Sequence, residues 1–214
     1  MTRVVTRAMR KPKAPEANRT RILEAAQEEF AARGFDGASM DAIAARTHTT
    51  RALINYYFGG KERIYLAVLE HVYSEIRKAE DALDLDHLSP EDAIRRIVAF
   101  TFDYYLEHEG FVRLVVAENQ AHGRHLRKSR LMRSLNRSII DTLRRVLERG
   151  QGNRSFRHDV DALEIHKAIA ALGMFNVTNQ YTFASIFRCA MGAKGDVAGR
   201  RAAVTDIILR YLRP

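Results

Sequence analysis

Proline is the sharpest constraint on this chain. It removes a backbone N–H donor and clashes with the preceding turn, costing a helix interior ~3 kcal/mol. The 214 residues hold four prolines, at positions 12, 15, 90 and 214, so 16–89 and 91–213 contain none. Those stretches are rich in Ala, Leu, Arg and Glu, which favour helix. No alternation of apolar and polar residues persists in them, so the expected fold is all-α. Hydrophobic residues make up 46% of the chain, enough for a packed core and too many for a disordered polymer. A single cysteine, Cys189, excludes a disulfide framework. The longest apolar run, near 168–175, falls far short of the ~18 residues of a membrane span. The basic start lacks the apolar run of a secretory signal. The expectation is a soluble, cytoplasmic protein with no membrane partner.

Apolar periodicity divides the chain into helices. Residues 1–17, with five basic side chains and two prolines, read as a disordered basic arm. From 18, Ile22, Leu23, Ala26 and Phe30 mark one helical face, and Gly34 is a left-handed stop. Ser39 caps a short helix over 40–46, and Thr50 caps another over 51–57. Two short helices joined by such a turn, with a longer helix in support, form helix-turn-helix geometry, whose second helix fits a major groove. A long helix follows over 61–84, then one starting at Ser89 and Pro90 with acids in its first turn. Further helices are expected over 111–120, 127–149, 161–183 and 199–212.

Charge is unevenly spread. Residues 1–61 carry net +5, 62–109 carry −7 and 120–157 carry +9, within a total of +9. A basic end suggests a nucleic-acid-binding head. The largest basic block, however, lies beyond it. There Arg130, Arg133, Arg137, Arg144 and Arg145 recur opposite the Leu131, Leu135, Ile139 and Leu143 stripe, as a solvated helix face does. Arg124 and Arg127 remain as candidates for an anionic ligand. The DNA-binding inference therefore rests on helix spacing more than on charge.

Three spaced motifs resemble the TetR family of transcriptional regulators. The first is Arg19, Ile22, Leu23, Ala25, Ala26, Phe30, Gly34 and Phe35; the second is Ser39, Ile43 and Ala44. The third is Thr50, Ile54, Tyr57, Phe58, Lys61 and Ile64. The resemblance spans about residues 18–66. It implies a three-helix DNA-binding head over 18–64 and a helical effector-binding and dimerisation body over 65–214. It further implies a homodimeric repressor on a palindromic double-stranded operator, released by an unknown small-molecule effector. Carried over by position, the DNA contacts fall on Ser39, Thr50, Arg51, Ala52, Leu53, Asn55, Tyr56, Tyr57 and Lys61. Arg51 is the candidate reader of a guanine edge; Ser39, Thr50, Tyr57 and Lys61 sit where helix ends meet phosphate. The chain departs from the family twice. His48 stands at the usual glycine of the turn, although His tolerates a left-handed backbone comparatively well. Asn55 replaces a tyrosine, which implies a different operator.

In the body, polar groups on apolar surfaces are the candidate effector ligands: Tyr105, Asn119, His122, Asn136, His166, Asn176 and Asn179, with Phe102 and Phe175. The resemblance places the dimer interface on the last two helices, at Ile165, Ile169, Leu172, Val204, Ile208, Tyr211 and Leu212. No metal site or cofactor is expected. His122 and His125 lack an adjoining carboxylate cluster, and no catalytic spacing or phosphate loop is visible. Two other readings stand beside the regulator: a sequence-tolerant architectural DNA-binding protein and a helical enzyme.

Overall fold

In a computed structural model of the protein, residues 14–214 are described and comprise eleven α-helices and no strand. They divide into two compact units, one ending at Val68 and the other spanning Leu69–Pro214. The boundary falls four residues from the one expected, inside the fourth helix. Residues 1–13 of the expected arm lie outside the described residues.

The N-terminal unit comprises α1 (Ala14–Gly37), α2 (Met40–Arg46), α3 (Arg51–Phe58) and the start of α4 (Lys61–Asp81). The first helix begins four residues earlier than expected, so 14–17 are helical. Pro15 is tolerated there because first-turn N–H groups lack intrahelical partners anyway. Gly34 (φ 66°, ψ −179°) breaks the helical path where the sequence places a stop. The Ser39 hydroxyl accepts the Ala42 N–H at 3.3 Å, and the Thr50 hydroxyl accepts the Leu53 N–H at 3.2 Å. Between these caps His48 takes the left-handed conformation (φ 50°). Ile22, Ala26, Phe30, Ile43, Ile54, Phe58, Ile64 and Tyr65 are buried together in this unit. The Tyr65 ring meets Phe30 edge-on at 4.8 Å and Phe35 at 5.1 Å.

The C-terminal unit takes the rest of α4, then α5 (Pro90–Glu107), α6 (Glu109–Gln120), α7 (Met132–Leu135) and α8 (Arg137–Gly152). It ends with α9 (Ala162–Thr178), α10 (Gln180–Phe187) and α11 (Val197–Leu212). The caps of α5 are as expected: Ser89 Oγ accepts the Asp92 N–H at 3.1 Å, and Pro90 occupies the first position. The single helix expected over 127–149 is instead three pieces: a 3₁₀ turn (Leu126–Lys128), α7 and α8. Side chains compete with the helical ladder there. Ser129 Oγ accepts the N–H groups of Leu131 and Met132 and donates to Glu70 Oε1 at 2.5 Å. Leu131 is consequently exposed, while Ile139, Leu143, Val146 and Leu147 form the buried stripe. The helix expected over 161–183 also divides, at Asn179, which ends α9 and starts α10.

The core of this unit joins Ile94, Ile97, Val98 and Phe102 of α5 to the α8 stripe, Phe156, and residues of α9 and α11. Ile165, Ile169, Val204, Ile208 and Leu212, expected to face a partner chain, belong to that core, and Leu172 packs partly against it. The correction has a simple cause. The main apolar stripes of α9 and α11 are consumed in the chain's own core. The outward face keeps Tyr211, joined by Leu163 and Ile207, all 46–51% exposed.

Two buried details fix this unit locally. Glu118, 1% exposed, accepts the N–H groups of His125 (2.7 Å) and Leu126 (3.0 Å) and pairs with His125 Nδ1 at 2.8 Å. Buried Gly150 lies against the ring of Phe156, which a methyl group at Cα would overlap. In an open helix, alanine in place of glycine gains up to ~1 kcal/mol. Forcing atoms into a filled core costs ~1–3 kcal/mol, and Phe156 is only 1% exposed. Gly150→Ala is therefore expected to destabilise the protein by about 1–2 kcal/mol, read as a lower denaturant midpoint; an unchanged or raised midpoint contradicts this packing.

Candidate functional site

The second short helix, α3, presents a polar face and buries an apolar one. Ile54 and Phe58 are 0% and 7% exposed, whereas Tyr56 is 82% exposed. Ser39, Thr50, Arg51, Ala52 and Asn55 are also exposed; Leu53, Tyr57 and Lys61 are half-buried. All nine residues singled out for DNA thus retain accessible surface. Arg51 forms an ion pair with Asp41 at 3.6 Å, both side chains being mostly exposed. Such a pair is worth about 0–1 kcal/mol, against ~1–3 kcal/mol for a two-pronged guanine contact. It therefore orients Arg51 without holding it back. Tyr56 and Tyr57 meet edge-on at 5.5 Å. Lys61 is locally engaged: Nζ donates to the Asp36 carbonyl at 3.2 Å and sits 5.0 Å over the Phe35 ring.

One residue that positions this surface is not evident from the motif. Glu29 is 3% exposed and accepts the Ser39 N–H at 3.1 Å, while its carboxylate pairs with Arg33 at 3.3 Å and Arg46 at 4.0 Å. It ties the start of α2 to α1. The available signal was its place one turn beyond Ala25 and Ala26, on the face that becomes buried.

The expected effector residues scatter within the C-terminal unit. Phe102, Phe175 and Asn176 line a cavity of about 400 Å³, with Phe183, Met191 and Arg200 among its other walls. Asn176 is fully engaged there: its amide donates to Leu172 O at 2.9 Å, and Oδ1 accepts from Arg200 Nε at 3.2 Å. Asn119 and Asn136 donate to carbonyls of their own helical turns, and Asn179 donates to Thr178 Oγ1. His122 is exposed. His125 binds the Glu118 carboxylate, and no cluster of three or more metal-ligating side chains occurs among the described residues. Arg124 and Arg127 are exposed. In the basic stripe the pair that forms is Arg144 with Asp141, at 2.5 Å.

Tyr105 and His166 belong to a second, polar centre whose charged members were not foreseen. Arg77 and Glu80 of α4 are 4% and 6% exposed, with Nη1 and Oε2 2.9 Å apart. Burial, partly offset by Arg77, raises the Glu80 carboxyl to about 7. Burial, helped by the Arg77 charge, lowers His166 to about 4. Burial also pushes the Tyr105 phenol well above its ordinary range. The sequence signal was a charged pair flanking Ile76 on the apolar side of α4.

An exposed recognition helix held on a buried three-helix support defines a helix-turn-helix DNA-binding protein. Two family models match the chain: bacterial regulatory proteins of the tetR family over residues 22–68, and the tetracyclin repressor-like C-terminal domain over 90–208. The chain is 37% identical over 203 residues to the HTH-type transcriptional repressor NicS of Pseudomonas putida, covering 94% of this chain and 96% of that protein. Among solved structures it is similar to a tetR-family regulatory protein from Rhodococcus RHA1, at TM-score 0.72 and 20% identity, with 92% and 97% of the two chains covered. It is also similar to the fatty acid degradation regulator FadR of Bacillus halodurans, at TM-score 0.70 and 16% identity, covering 93% and 97%. The protein belongs to the TetR family and is a DNA-binding transcription regulator. No helix among its described residues is long and apolar enough to cross a membrane.

The polar centre makes stability depend on pH in two opposing ways. Glu80 titrates higher in the folded chain than unfolded, so its stabilising contribution is present below about pH 4.5 and is lost as pH rises through about 7. His166 titrates lower when folded, so its contribution is present above about 6.5 and is lost as pH falls toward 4. Between pH 8 and 5 the wild type is therefore expected to gain thermal stability relative to Glu80→Gln as pH falls. A difference in Tm that stays constant over that range would rule out the assigned titration.

Proposed function

We propose that the protein is a homodimeric repressor that binds a palindromic operator and is released by a small-molecule effector. The observation that carries the reading is the outward face of α3, where Arg51, Ala52, Asn55 and Tyr56 stand exposed beside Thr50 while Ile54 and Phe58 anchor the helix from behind. Thr50, Ser39, Tyr57 and Lys61 serve the phosphate backbone through hydroxyl, amide and ammonium groups. Arg51 reads a guanine edge and Asn55 an adenine edge, with Ala52 and Leu53 close to the bases. A single helix-turn-helix reads few base pairs, so two copies on two half-sites supply the specificity.

Support for a homodimer comes from the outward face of α9 and α11. Leu163 of α9 and Ile207 and Tyr211 of α11 are exposed, and the small Ala203 lies one turn before Ile207 on α11. This replaces the interface expected from sequence, whose residues are mostly interior. Effector and operator are coupled reciprocally, each weakening the other's binding.

Band shifts with the DNA upstream of the protein's own gene test the reading; a folded dimer that binds no palindromic fragment at low salt would sink it. Arg51→Ala is expected to relax sequence preference, losing ~1–3 kcal/mol on the operator. Lys61→Ala should weaken all sequences alike and flatten the salt slope by about one unit. A Lys61→Ala protein altered only in sequence preference reverses the two roles. For the interface, Ile207→Glu is expected to shift the protein toward monomer in analytical ultracentrifugation with its helical content intact. An undisturbed dimer places the interface elsewhere.

A further inference from the structure

The segment between α6 and α8 carries charge without a counterweight. Residues 119–140 hold six Lys and Arg and no Asp or Glu. All six cations, Arg124, Arg127, Lys128, Arg130, Arg133 and Arg137, are exposed. Other exposed cations of this unit have a carboxylate one turn away: Arg113 with Glu109 at 2.9 Å, Lys167 with Glu164 at 2.6 Å, Arg210 with Asp206 at 2.6 Å. Arg127, Arg130, Arg133 and Arg137 pair with no carboxylate among the described residues. Asp141, one turn beyond Arg137, is taken by Arg144. Like charges so gathered repel one another, and nothing within the segment offsets them.

The four guanidinium groups also share a surface. Arg127, Arg130 and Arg133 line a groove of about 780 Å³, and Arg133 and Arg137 line another of about 610 Å³. Arg133 belongs to both, so the cations follow one another along adjoining grooves. The segment is held from within. His122 and Gly123 take left-handed backbone (φ 54° and 69°) where α6 ends. Buried Glu118 accepts the amides of His125 and Leu126, and Ser129 Oγ donates to Glu70 Oε1 of α4 at 2.5 Å. Little backbone freedom is therefore left to lose when a ligand settles on the cations.

Inside the fold, exposed charges of this kind count for little. Their reach is outward, to a polyanion. Double-stranded DNA carries one negative charge per ~1.7 Å of its axis, and each phosphate that a cation neutralises releases condensed counterions. Guanidinium groups match phosphate oxygens with paired hydrogen bonds. The protein is a DNA-binding regulator, so a duplex is the polyanion it already meets. We propose that Arg127, Arg130, Arg133 and Arg137 form a second DNA-contact surface, on the C-terminal unit, that grips the phosphate backbone without reading sequence. It adds affinity and salt dependence, and leaves the preference among sequences to α3.

The test compares the full-length wild type with the fourfold variant Arg127→Gln, Arg130→Gln, Arg133→Gln, Arg137→Gln. The probes are the DNA upstream of the protein's own gene and a scrambled duplex of the same length and composition. Binding is read by fluorescence anisotropy from about 50 to 200 mM salt, the range over which phosphate contacts declare themselves. At about 0.9 per contact, the variant is expected to flatten the slope of log K against log salt by about three to four on both duplexes. At the low-salt end it should lose at least tenfold in affinity on both, with their ratio unchanged. An unchanged slope overturns the proposal, as does a loss confined to the upstream DNA. Should the fourfold variant fail to fold by circular dichroism, Arg133→Glu decides, because Arg133 stands where the grooves meet: undiminished binding of both duplexes overturns the proposal. Unchanged DNA binding together with variant-sensitive binding of poly-L-glutamate assigns the surface to an acidic protein and overturns it too. The operator reading fails separately. A wild type without preference for the upstream DNA defeats that reading, while the slope on the scrambled duplex still decides this one.

Discussion

The layout of the helix-turn-helix depends on one buried carboxylate. Glu29 sits on α1, yet its oxygens take the backbone N–H of Ser39 and pair with guanidinium groups of Arg33 and Arg46. Ser39 in turn caps α2, and the turn after α2 leads directly into the cap of α3. Hydrogen bonds to a charged group are worth ~1.5–3 kcal/mol, roughly twice a neutral one. The apolar contacts of Ile22, Phe30, Ile43 and Ile54 stabilise the unit, but they are non-directional. A directed bond to the N–H of the capping residue helps fix where that helix begins. The carboxylate therefore sets the origin from which α2, the turn and α3 are laid out.

Much of this head was legible because local rules and tertiary packing agree in it. Caps at Ser39 and Thr50 and the stop at Gly34 each follow from residue chemistry within four positions along the chain, whereas the left-handed His48 was indicated by the family resemblance, which has glycine there. The C-terminal unit was read less well where a distant partner decides the outcome. Ser129 ends the helical path because it also reaches Glu70, 59 positions earlier. Periodicity over 127–149 carries no record of that contact. The apolar residues of α9 and α11 were identified, but their faces were assigned to the wrong neighbour. Spacing tells that a stripe is buried without telling what buries it.

The arginines show the same limit from the other side. The conspicuous basic block from 120 to 157 is mostly an exposed face, with pairs such as Arg144 and Asp141 screened by solvent. Arg77, a buried arginine whose charge bears on Glu80, Tyr105 and His166, stands in the acidic stretch, where net charge points away from it. Burial, and not abundance, decides what a charge does. A guanidinium cut off from water acts on Tyr73, Tyr104, Tyr105 and His166 together, because little solvent remains to absorb its field.

The Glu118 clasp bears on how this region tolerates change in length. Loops ordinarily accept insertions because their backbone groups are served by water. Here the segment after α6 is served from within: one carboxylate takes the amides of His125 and Leu126 and the imidazole of His125. Those donors reach it only because seven and eight residues separate them from Glu118. An added or deleted residue would move both amides past the acceptor and strand a buried negative charge. Although irregular in shape, the segment is as intolerant of indels as a helix interior.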